Sequence, residues 1–125
     1  MSVRVWPMLS MLFLSLAALA HSTVKSTVPA SGSILPASPA EIIINFNEPA
    51  RLTSVVVATA GAGERKLQFT PSGEATSFTI ADPRLQSGSS EIRWRALSRD
   101  GHPINGTIVI VVNPNAEQSG PGVSK

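Results

Sequence analysis

Two histidines, His21 and His102, are the only imidazoles in the 125-residue chain. Their positions suggest a shared task. His21 follows Leu16-Ala17-Ala18-Leu19-Ala20, where an apolar run gives way to a polar chain. Cleavage after Ala20 would make it the first residue of the product. A terminal histidine offers a donor pair that an internal one lacks. Its α-amine has a pKa of ~7.7–8.0 in model peptides and yields its proton readily to a metal. Its own Nδ1 then closes a six-membered chelate. A second imidazole completes three nitrogens in a T-shape, the histidine brace. Tetragonal nitrogen and oxygen donors suit Cu(II), which also heads the divalent affinity order. Zinc prefers a tetrahedral shell with more protein ligands.

The second ring lies in Ser98-Arg99-Asp100-Gly101-His102-Pro103. Gly101 permits a sharp turn, so Asp100 and His102 can converge on one point. Pro103 stiffens the exit. Asp100 can ligate directly or hold the imidazole tautomer from behind. A lone Asp-Gly turn is common, and a loop histidine beside one is usually structural or solvated. The case therefore rests on the two histidines together, since neither has another imidazole to pair with.

The first twenty residues read as an export signal. Arg4 supplies the positive end, Met8 to Leu16 the short apolar run, and Ala18-Leu19-Ala20 the small-x-small cleavage pattern. The run falls short of the roughly 20 apolar residues that span a bilayer. The expected organisation is a signal peptide over 1–20, one domain over 21–113 and a disordered polar tail over 114–125 rich in Gly, Pro and Ser. Export out of the cytoplasm follows from the signal. Loss of Arg4 lowers the formal charge from +2 to +1, with no basic stripe that would imply nucleic acid.

Cysteine is absent, so neither a disulfide nor a thiolate site is available. Met1, Met8 and Met11 all fall in the signal, which leaves the product without a thioether donor.

The elements that must hold these residues are strands. Glu41 to Phe46, Ser54 to Thr59, Lys66 to Phe69, Ser77 to Ile80, Glu91 to Leu97 and Thr107 to Val112 are β-branched or alternate with period two. Another strand is expected near Thr23 to Val28. Seven strands suit a small two-layer sandwich. Trp94 is expected at its centre, more as core than as a sugar platform. Asn105-Gly106 matches a turn signal ahead of the last strand, better than a glycosylation acceptor.

In these motifs the chain resembles the CopC family of periplasmic copper-binding proteins. The carriers are His21, then Ser26-Thr27-Val28-Pro29-Ala30-Ser31-Gly32-Ser33, which resembles S-x-P-A-x-G. Ile44-Asn45-Phe46-Asn47-Glu48-Pro49 resembles L-x-F-x-E-P. Ile92 to Gly106 resembles V-x-W-R-V-x-S-x-D-G-H-P-x-x-G. The likeness runs from His21 to about Val112.

The resemblance implies an all-β, seven-stranded Greek-key β-sandwich of immunoglobulin-like or cupredoxin-like form, binding one Cu(II). The implied ligands are His21, His102 and Asp100. Glu48 stands where some members carry a carboxylate near the site, although a turn residue before Pro49 reads equally well. The implied role is copper resistance, sequestration or delivery by a monomer without catalysis. A CopD-like inner-membrane importer, fused in some members, would here be a separate polypeptide. Two rivals remain: a histidine-brace copper monooxygenase, disfavoured by the absence of Tyr, and a metal-free sandwich module.

Overall fold

The computed structural model describes residues 24–116. Seven strands run in the order β1 (Val24–Val28), β2 (Ser33–Leu35), β3 (Glu41–Thr59), β4 (Gly63–Lys66), β5 (Glu74–Ala81), β6 (Gly88–Ser98) and β7 (Pro103–Val112). No helix occurs among the described residues, and the expected all-β class stands.

The organising element is β3. Its first part, around Glu41–Phe46, pairs antiparallel with β1 and β5. Its second part, from Ala50 to Thr59, pairs with β4 and β6. The chain thus crosses from one layer to the other within one strand, and the sheet curls upon itself in the order β1-β3-β6-β7-β2. Two irregularities permit this. Between Asn45 and Ala50, β3 advances five residues while β5 moves only from Ser77 to Ala75. Pro49 is tolerated in that arch because a proline cannot donate to a regular ladder. A second slip lies between Leu52 and Ser54, opposite Ala96 and Arg95. One extra residue reverses the facing of everything beyond it. Leu52 and Val55 are consequently both buried despite their odd spacing.

The two inner faces meet over an apolar core. Ile42, Ile44, Phe46, Phe78 and Ile80 come from one layer; Val55, Val57, Ile92, Trp94, Ile108 and Ile110 come from the other. Phe46 meets Trp94 edge-on, with centroids 5.3 Å apart and planes at 85°. Trp94 is 3% exposed, so its role is packing.

Several expected boundaries change. The two apolar runs around Ile43 and Val56 are one strand, because the arch carries the chain through Pro49 without ending it. The fourth strand is Gly63–Lys66, earlier than the expected Lys66 to Phe69. Asn105-Gly106 is no turn: it lies inside β7, paired with Arg95 and Trp94. Gly106 is there for space, since a Cβ at that position would sit 2.4 Å from Trp94 Cζ2. β2 was not expected at all. It pairs in parallel with the end of β7 through only three residues, too short to show a period. The expected total of seven therefore holds with different members.

Candidate metal site

β6 and β7 are joined by a tight hairpin that carries Asp100 and His102. Leu97 pairs with Pro103 at its base. Above that rung the Ser98 amide donates to the His102 carbonyl at 2.8 Å, and the Gly101 amide donates to the Ser98 carbonyl at 2.9 Å. Gly101 adopts φ 83°, the left-handed conformation that closes a three-residue hairpin loop. The expected sharp bend at Gly101 is present. It turns the Asp100 and His102 side chains toward each other.

His102 Nδ1 lies 2.9 Å from Asp100 Oδ2. An ionised carboxylate only accepts, so Nδ1 carries the proton and the Nε2 lone pair stays free. The other carboxylate oxygen, Oδ1, accepts from the Ser98 hydroxyl at 2.5 Å. The same hydroxyl accepts the His102 backbone N–H at 3.0 Å. The Ser98 bond, then the Asp100 backbone amide, then His102 hold the Asp100 carboxyl below its ordinary pKa. Both site side chains are open to water, with relative exposures of 77% for His102 and 72% for Asp100. Behind the turn, Arg99 reaches Glu74 of β5 at 3.8 Å.

The site is an exposed tip. A groove of about 590 Å³ lies over the outer face near Arg93, Arg95 and Asn105, yet neither Asp100, His102 nor Glu48 lines it. A smaller cavity of about 170 Å³ lies against the hairpin, lined by Ser98, Arg99 and Gly101 together with Ala50, Arg51 and Glu74.

The other expected site residues are placed differently. Glu48 is exposed in the β3 arch, two residues before Ala50, which pairs with Ser98. Glu48 lies within the strand and not in a tight turn, and it is not grouped with Asp100 and His102 around a common point. Among the described residues, no three His, Cys, Asp or Glu side chains are grouped to hold a metal ion. His21 lies outside the described residues. The sequence alone assigns Ser98 no role. Its spacing was the available signal, because a serine two residues before an aspartate can bond to it locally.

Residues 24–113 match the CopC domain family. The chain is 32% identical over 115 residues to Copper resistance protein C of Escherichia coli, covering 76% of this chain and 83% of that protein. It is 31% identical over 120 residues to Copper resistance protein C of Pseudomonas syringae pv. tomato, covering 81% and 87%. The crystal structure of CopC from Methylosinus trichosporium OB3b superposes with TM-score 0.63 over 78% of this chain and 98% of that one. At 22% identity it speaks to the fold alone. PcoC, a methionine-rich copper resistance protein from Escherichia coli, superposes with TM-score 0.55 at 30% identity, over 72% and 96%.

Proposed function

The chain belongs to the CopC family, and from that premise we propose that it is a periplasmic copper-binding protein acting in copper resistance. The copper resistance names of its relatives support the role. The finer proposal is one Cu(II) held by the amine and Nδ1 of His21 and by His102 through its free Nε2. Asp100 fixes that ring and offsets the charge of the ion. Glu48 is the further carboxylate of the proposal, brought in from the β3 arch when the ion binds.

The observation that carries this is the Asp100–His102 pair on a rigid hairpin at the end of the sandwich where β1 begins. Val24, the first residue of β1, pairs with Phe46; four positions further along β3, Ala50 pairs with Ser98. Because the arch lies between those two rungs, they are closer than the roughly 13 Å of a straight strand. The three residues from Val24 back to His21 reach roughly 10 Å when extended. β1 thus begins at the end of the domain that carries the hairpin, which supports a brace between His21 and His102. Nitrogen and carboxylate donors favour Cu(II). With all three methionines at or before position 11, thioether storage of Cu(I) has no donor after cleavage at Ala20.

The proposed mechanism is thermodynamic. The site lowers free Cu(II) in an oxidising compartment, as a monomer and without turnover, and releases the ion to a separate inner-membrane importer. The test compares Cu(II) titration of protein starting at His21 with protein bearing one extra residue before it. Acylation removes the amine and opens the chelate, so the extended form should bind far more weakly. Equal affinity in the two forms would sink the brace.

A further inference from the structure

We infer that Ser98 is a positioning residue for the metal site, fixing Asp100 and His102 in one geometry before the ion arrives. This rests on the copper reading and extends it to a residue that touches no metal. A serine hydroxyl has one donor and two acceptor sites. Here the donor goes to Asp100 Oδ1 and one acceptor receives the His102 backbone N–H. One oxygen atom therefore grips the side chain of one site residue and the backbone of the other. The Ser98 amide and carbonyl also close the loop, through the His102 carbonyl and the Gly101 amide.

The consequence is directional. With Oδ1 held by Ser98, the Asp100 carboxylate cannot swing freely, and Oδ2 stays aimed at His102 Nδ1. That contact keeps the proton on Nδ1 and presents Nε2 outward. Without the hydroxyl, both groups remain satisfied by water on an exposed tip. The domain still folds, while the imidazole loses its fixed tautomer and direction. Outer partners of this kind typically carry 10–100-fold of metal affinity.

The experiment uses the exported protein as wild type, Ser98→Ala and Ser98→Thr. Cu(II) affinity is measured against a competing chelator, the copper signal by electron paramagnetic resonance, and the His102 tautomer by nitrogen NMR of the metal-free form. We expect Ser98→Ala to bind roughly 10–100-fold more weakly, with an altered copper signal and more of the Nε2–H tautomer. Ser98→Thr keeps the hydroxyl and should restore all three. An alanine variant equal to wild type overturns the inference while leaving the copper reading intact. A threonine variant as weak as alanine also overturns it, because packing would then be responsible. A wild-type protein that takes up no Cu(II) overturns both.

Discussion

His102 Nδ1 and Asp100 Oδ2 stand 2.9 Å apart across a loop whose third residue, Gly101, is left-handed. The pair is made by the backbone, since residues two apart on a regular strand would point the same way without touching.

His102→Ala removes a ring and should cut Cu(II) affinity by more than about 100-fold, beyond what loss of an outer partner costs. Asp100→Asn keeps an acceptor for Nδ1–H and loses the charge, so roughly 10–100-fold is expected. Both positions are exposed, and unfolding midpoints should hardly move. Titration with a competing chelator, beside a thermal melt, checks both statements.

Acid should act on the turn through Asp100. Its carboxyl is held below the ordinary value of 3.8 in the folded protein, chiefly by Ser98. A group with a depressed folded pKa stabilises the fold above the unfolded value, and that contribution fades as pH falls through the folded one. The turn should therefore be intact at neutral pH and loosen only below the usual carboxylate range. Carbon NMR of the metal-free protein should place the Asp100 midpoint below 3.8, and Ser98→Ala should raise it. A midpoint unmoved by that substitution would contradict the assigned cause.

Gly101→Ala forces a Cβ into the left-handed region, at a cost of roughly 1–2 kcal/mol. Nothing crowds the position, so the effect is conformational. Gly101→Asn should be milder, because asparagine visits that region more readily. Denaturant melts of the two variants give the order.

Gly106→Ala should destabilise the core by about 1–3 kcal/mol, as overpacking does. The added methyl meets the indole of Trp94. In the product cleaved after Ala20 only Trp94 remains of the two tryptophans, so its fluorescence reports the displacement directly. An unchanged emission maximum and melt would mean the indole has room that the backbone spacing denies.

The sequence was most readable where its pattern was local and long. The Glu91 to Leu97 alternation placed Ile92, Trp94 and Ala96 inward, as found. The Asp100-Gly101-His102 turn was legible for the same reason, since a glycine and two polar neighbours decide it. The arch at Glu48 was not, because Pro49 signals a strand end unless one knows that β3 changes layers there. Gly106 misled for a related reason. The sequence reports a small residue, and only the opposing Trp94 says why it must be small. Ser98 escaped because its value lies in being joined to two partners at once.

The passage of β3 through both layers bears on how the protein comes apart. Neither layer owns a complete set of strands, so peeling one away would tear a strand shared with the other. Amides of Ile43 and Val56, on opposite layers of one strand, should exchange with solvent through a common opening of the whole domain. The tip that carries Asp100 and His102 is thus mounted on a body with no internal seam.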